Sequence, residues 1–161
     1  MRKIFYSLTI LLTIFVFDSL NAKDVVLGVG GRVGATLDPD QVHLGIHIDL
    51  GELAERLRVQ PSVEIGFGND ITLVAVNPEV VYLFNKRDKW TPYAGGGLGL
   101  NIVNRDRPSP GQDNAELQVG LNLLAGIETR VSSSTRLFFE GKFGVGDSPD
   151  FKATCGFTIV H

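Results

Sequence analysis

The sequence predicts an all-β chain, an eight-stranded antiparallel up-and-down β-barrel that spans a membrane, preceded by a cleaved signal peptide. Three observations lead there. Alternating segments follow one another along the whole chain, joined by short polar links, with no long helical stretch between them. One face of every segment is free of charge, while the other mixes charged side chains with glycine. The chain also opens on a short apolar leader.

In that leader, Arg2 and Lys3 precede an apolar run from Ile4 to Phe17, and a polar stretch ends in Leu20-Asn21-Ala22. A positive start, a short apolar core and a small final residue mark a secretory signal over 1–22. The run is shorter than the roughly 20 residues a spanning helix needs. The barrel is then expected over 23–161. Of 15 basic and 18 acidic residues, removing Arg2, Lys3 and Asp18 leaves 13 and 17, a mildly acidic chain without a basic cluster, so no nucleic-acid partner is expected. The single cysteine, Cys155, has no partner for an internal disulfide. No CxxC, HExxH or Walker-type loop is present, and neither a metal nor a cofactor is expected.

The eight segments run in order as follows. Segment 24–35 sets Val25, Leu27, Val29 and Val33 against Gly28, Gly30, Arg32 and Gly34. Segment 41–50 sets Val42, Leu44, Ile46 and Ile48 against His43, His47 and Asp49. In 57–68, Leu57, Val59, Val63, Ile65 and Phe67 oppose Arg58, Gln60, Ser62 and Glu64, and in 71–84 the polar face keeps Asn77 and Glu79. Segment 90–103 carries Gly95, Gly97, Gly99 and Asn101 opposite Ala94, Leu98 and Ile102. The longest, 114–131, alternates Leu117, Val119, Leu121, Leu123 and Ile127 with Glu116, Gln118, Asn122 and Glu128. Segments 134–146 and 150–160 close the series with Arg136, Glu140, Lys142 and Lys152 on their polar side. Between them lie turn clusters such as "LDPDQ", "GND", "NKRDK" and "GDSPD"; only "GELAER" (51–56) hints at a helical turn.

Polarity decides which face looks inward. A solvent-facing side has no use for so many glycines, since glycine weakens a strand and packs nothing. Inside a narrow barrel, glycine leaves room for long charged side chains that cross the lumen and pair. The expected lumen network is Arg32, His43, His47, Asp49, Arg58, Glu64, Glu79, Glu116, Glu128, Arg136, Glu140 and Lys142. The outward face would meet lipid, where Lys or Arg near mid-membrane costs about 2–4 kcal/mol. With both termini periplasmic, Phe67, Phe143 and Phe151 fall near the outer end, and Tyr82, Phe84, Trp90 and Phe157 near the periplasmic end. Those are the two aromatic belts that membrane–water interfaces select. Pro61 and Pro78 sit inside segments three and four, each requiring a bulge or a locally broken ladder.

"WTPYAGGGLGLN" (90–101), "FKATCGFTIV" (151–160) and "HIDLGELAERLRVQPSVEIGFGND" (47–70) carry a resemblance. The chain resembles small eight-stranded bacterial outer-membrane barrels of the opacity and OmpA/OmpX-like group. The resemblance implies residence in the bacterial outer membrane, contact with its lipid, and passage through the barrel-assembly machinery during biogenesis. Such proteins usually end in an aromatic residue; this chain ends in His161, with Phe157 the nearest aromatic.

Three roles compete for such a barrel. A structural or surface-interaction role without catalysis rests on the loops, chiefly "NRDRPSPGQD" (104–113), whose Arg105, Asp106 and Arg107 are candidate contacts for a surface ligand. A secreted or periplasmic soluble barrel binding an apolar ligand would need the reverse polarity. A lipid-A-modifying enzyme would need a triad, for which His47, Asp49 and Ser62 are the available set. His43 and His47 lie about 13 Å apart along a strand, too far to share a metal. A free pore is disfavoured because eight strands leave an interior only wide enough for side chains.

Overall fold

The computed structural model describes residues 26–68, 71–85, 89–105 and 115–160. The proposed signal peptide, Asp106, Arg107 and His161 lie outside them. The chain forms β1 (Gly28–Leu37), β2 (Gln41–Asp49), β3 (Glu52–Ala54), β4 (Leu57–Val59), β5 (Ser62–Gly68), β6 (Ile71–Asn77), β7 (Glu79–Leu83), β8 (Trp90–Arg105), β9 (Ala115–Arg130), β10 (Thr135–Gly146) and β11 (Phe151–Val160). β4 with β5, and β6 with β7, each make one interrupted stave, so eight staves pair antiparallel in sequence. β1 then pairs with β11, from Gly28 opposite Val160 to Leu37 opposite Phe151, and the barrel closes. Closure removes the free edges that an open sheet would expose.

Both interruptions fall at the prolines. The register that pairs Val59 with Val80 is the one that pairs Ser62 with Asn77, so Pro61 stands opposite Pro78 without a slip. Each points its backbone away from the other. Pro61 accepts from Ile48 N (3.0 Å) on one side and Pro78 from Leu98 N (3.2 Å) on the other. What each lacks is the N–H that would return the bond. The ladder is broken locally, and the seam keeps its register.

"GELAER" is not helical. Gly51 (φ +80°) and Arg56 (φ +66°) adopt left-handed conformations, and between them β3 folds back on β4, with Glu52 opposite Arg58. β8 and β9 outreach the other staves. β9 pairs with β10 only as far up as Gly120, whereas its pairing with β8 continues to Ala115. That hairpin carries the 106–114 link.

Exposure follows the alternation with inverted sense. Ile46 is 60% exposed and Leu123 58%, while Glu64 is 1% and Lys142 2% exposed. An apolar outside around a charged inside is the polarity of a transmembrane barrel, not of a water-soluble one. Phe67, Tyr82, Phe84, Trp90, Phe139, Phe143 and Phe157 all stand on the outer surface, and Phe151 is half-buried. Tyr82 meets Phe84 edge-on at 5.4 Å, and Phe143 packs against Phe151 at 4.8 Å. Lipid-side side chains thus remain available to solvent hydrocarbon, and the charged side chains of the described residues gather in the lumen.

Ile46 lies mid-stave on β2, in the middle of the outer band. The expected outcome of Ile46→Arg is a barrier to insertion of about 2–4 kcal/mol, read as loss of the membrane-inserted, boiling-sensitive form on gels, while Ile46→Phe inserts normally. Normal insertion of the arginine variant would mean that this face does not meet lipid.

Candidate functional site

The lumen holds two groups of ion pairs. Towards the end that carries the termini, Arg58 places both terminal nitrogens on the Glu128 carboxylate, Nη1 at 3.0 Å from Oε1 and Nη2 at 2.8 Å from Oε2. This fork-to-fork contact is the strongest geometry available to such a pair. Arg136 Nη1 reaches the same Glu128 at 3.3 Å, and its Nη2 bonds Asp49 Oδ2. Asp49 is fixed from behind, because its Oδ1 accepts the Gly51 amide at 2.9 Å. Two cations here face two anions.

The second group fills the middle and outer lumen. Arg32 donates to Glu64 Oε1 at 3.1 Å and lies 3.5 Å from Glu140 Oε1. Lys142 stands 2.5 Å from Glu79 Oε1 and 3.5 Å from Glu64, and Lys152 donates to Glu64 Oε2 at 2.8 Å. Glu140 also accepts from the Tyr93 hydroxyl at 3.0 Å. Asn122 links Glu79 (3.4 Å) to Asn77 (3.0 Å), and Asn77 donates to Ser62. Three cations face three carboxylates. A buried charge left alone costs several kcal/mol, so equal numbers within each group are what make burial tolerable.

Aromatic rings stand between the groups. Phe138 meets the His47 ring edge-on at 5.3 Å and lies under the Arg32 guanidinium at 5.4 Å. Tyr93 sits 5.9 Å from the Arg58 guanidinium. Several large inward side chains are placed opposite glycine across the wall: Tyr93 opposite Gly126, Phe138 opposite Gly156, His47 opposite Gly30 and Glu79 opposite Gly97. A Cβ on Gly126 would lie 2.5 Å from Tyr93 Cζ, and one on Gly156 2.6 Å from Phe138 Cζ. A large side chain set against glycine is therefore a recurrent packing device of this interior.

At the outer end one turn of the chain enters the lumen. The turn between β10 and β11 folds inward, burying Ser148 and Pro149. The Asp147 carbonyl accepts from Asn101 Nδ2 at 3.3 Å, and Gly144 N donates to Asp150 O at 3.1 Å. Gly99 and Gly120 make this possible, since a Cβ on either would run into Ser148.

Of the residues expected in the lumen, Arg32, His43, His47, Asp49, Arg58, Glu64, Glu79, Glu128, Glu140 and Lys142 are buried there, and Arg136 is half-buried. Glu116 is elsewhere. It is exposed at the top of β9, 3.0 Å from Arg105, because β9 has by then risen past its neighbour β10. Lys152, Tyr93 and Phe138 complete the network; for the two aromatics, strand parity was the available signal. His43 lies between Thr36 and Thr154, 3.0 Å from each, and His47 contacts Thr158 at 2.9 Å. Ser62 is opposite His47 in register, yet its hydroxyl accepts from Asn77 (3.3 Å) and Arg32 (3.5 Å). Asp49 is committed to Arg136 and the Gly51 amide. His47, Ser62 and Asp49 are thus bonded to other partners, and the geometry of a relay is not assembled.

Lys142→Met leaves three carboxylates facing two cations. It is expected to destabilise the refolded barrel by about 3–5 kcal/mol, measured by urea unfolding. Adding Glu79→Gln should recover much of that loss, and strictly additive effects would contradict the pairing.

Solved structures share this architecture. Neisserial surface protein A matches with a TM-score of 0.64 at 14% identity, over 84% of this chain and 96% of that one. The N-terminal β-barrel domain of Pseudomonas aeruginosa OprF matches at 0.60 and 13% identity, over 84% and 96%. The outer membrane enzyme PagL matches at 0.51 and 14% identity, over 83% and 99%. No family model matches the sequence, and no curated protein matches it. At these identities the likeness is one of fold, and the fold is that of the small eight-stranded outer-membrane barrels.

Proposed function

We propose that this chain is an integral protein of the bacterial outer membrane with a structural or surface-interaction role and no catalysis. One observation carries the reading: a continuous apolar outer surface encloses charges that are buried and balanced. Such a molecule has hydrocarbon as its solvent, so outer-membrane lipid is its constant partner. The barrel-assembly machinery is its partner during biogenesis. Surface contact is assigned to loop 104–113, carried by the longest hairpin, with Arg105 paired to Glu116 at its base. Rigid scaffolds with variable loops commonly bind in this way.

Two alternatives are less well supported. A soluble barrel with an apolar ligand needs an apolar lumen, and this lumen is lined by ion pairs. A lipid-A-modifying enzyme needs a base beside a nucleophile that a lipid can reach, and His47 and its partner Thr158 are both buried inside the barrel.

Membrane fractionation, followed by gel electrophoresis of the detergent extract with and without boiling, tests the proposal. Outer-membrane enrichment with a boiling-dependent mobility shift is expected, and protein that stays soluble without detergent overturns it. Lipid A from overexpressing cells should keep its mass, whereas loss or gain of an acyl or polar group would establish catalysis.

A further inference from the structure

Closure protects the barrel wall but not what rises above it. The pairing of β9 with β10 stops at Gly120, opposite Gly146, whereas β8 stays paired with β9 up to Asn104 opposite Ala115. The cause is local. Gly146 adopts a left-handed conformation (φ +79°), and the chain then turns into the lumen at Ser148 and Pro149 instead of rising further beside β9. Residues 115–119 are left with one strand edge that has no backbone partner among the described residues. The other side of the same hairpin is covered, since β6 pairs with β8 as far as Ile71 opposite Arg105. Five residues of edge measure about 17 Å. None of them is proline or lysine, the usual guards of such an edge.

An edge of this kind accepts an extended polypeptide, because another backbone supplies alternating donors and acceptors at the ladder spacing. A second copy of this chain does not fit. Among the described residues every other strand at this end is paired on both sides, so two copies could meet only β9 to β9. Under a two-fold axis along the membrane normal, strands each tilted by about 40° cross at about 80° and form no ladder.

Charge narrows the partner further. The links at this end, residues 38–40, 69–70, 105–116 and 147–150, hold two, one, three and two carboxylates, against Arg105 and Arg107. Asp147 and Asp150, next to the point where the edge begins, are exposed. On the edge itself Leu117 and Val119 alternate with Glu116 and Gln118. A matching strand sets apolar residues beside the first pair and basic residues beside the second.

We propose that the β10-facing edge of β9, residues 115–119, is a docking site for an extended basic segment of another protein, which joins the sheet as an added strand above Gly146. The proposal rests on the reading of this end as the outer surface, and it names the element through which that surface makes contact. Backbone bonds supply the affinity, alternating side chains the register and the acidic links the attraction.

The test uses the whole ¹⁵N-labelled barrel in octyl glucoside, an uncharged detergent. A capped seven-residue peptide of alternating lysine and valine is titrated while the amide resonances of residues 115–119 are followed. Saturable shifts are expected, with slowed hydrogen exchange at alternate amides. The same peptide with every amide N-methylated keeps its charge but loses its donors, and it should produce neither effect. The double variant Asp147→Asn, Asp150→Asn should weaken the affinity by roughly threefold or more, as for two solvated charges, and retention of the boiling-dependent shift verifies its fold. Three results overturn the site: no amide of 115–119 exchanging freely before peptide is added, equal binding of the N-methylated peptide, or undiminished binding by the double variant. A chain that shows no boiling-dependent shift overturns the membrane reading, and the site with it.

Discussion

The rest of this structure depends on how little room eight staves enclose. A barrel of this size is filled by its own side chains, and those available to fill it here are largely charged. Two conditions must therefore hold together. Volumes have to alternate, which sets Tyr93 opposite Gly126 and Phe138 opposite Gly156. Charges have to cancel locally, which separates the lumen into a group built on Arg58, Arg136, Asp49 and Glu128 and another built on Glu64, Glu79 and Lys142. A shift of one stave by one residue would send its lumen side chains into lipid and its apolar row into the lumen. The ion pairs accordingly fix register more surely than they add stability, because their desolvation offsets much of their attraction.

This strict register explains why the paired prolines are tolerated. Pro61 and Pro78 remove donors from the wall, yet they stand opposite each other and leave the pairing on both sides unshifted. Immediately inside that seam lie Gln60, Ser62, Asn77 and Glu79, all buried. Lumen side chains such as Asn122, which bonds both Asn77 and Glu79, tie the seam to the far wall where its own ladder is thinnest. Packing across the lumen here compensates for missing bonds around it.

Much of the fold was legible because a strand has a period of two and a membrane reverses the usual sense of that period. Eight segments, their turns and the inward polar face follow from parity and composition. Height along the axis does not. Glu116 has the parity of a lumen residue but lies above the point where β10 stops, and only the stagger of the staves reveals it. Parity was also under-read where the inward residue is not polar. Leu73, Ala75, Val81 and Leu83 face inward on the fourth stave, on either side of the polar Asn77 and Glu79. The possible triad of His47, Asp49 and Ser62 failed for a different reason. Proximity in register was correct for His47 and Ser62, but His47 Nε2 turns to Thr158, and Asn77 and Arg32 donate to the Ser62 hydroxyl. The "GELAER" turn was misread because its helix-favouring residues lie between two left-handed backbone positions.

The inward turn at Ser148 bears on how this protein can be modified. Surface hairpins of membrane barrels are natural places to graft an epitope, and the link between β10 and β11 looks in sequence like any other short polar loop. In the folded molecule its Ser148 and Pro149 are interior, with Ser148 seated on Gly99 and Gly120. A peptide inserted there has first to be pulled out of the lumen, removing the stopper and its contact with Asn101. At the base of the β8–β9 hairpin, by contrast, Ala115 and Glu116 are exposed. The β10–β11 turn is thus part of the core, and its short polar sequence is no guide to where a graft would be tolerated.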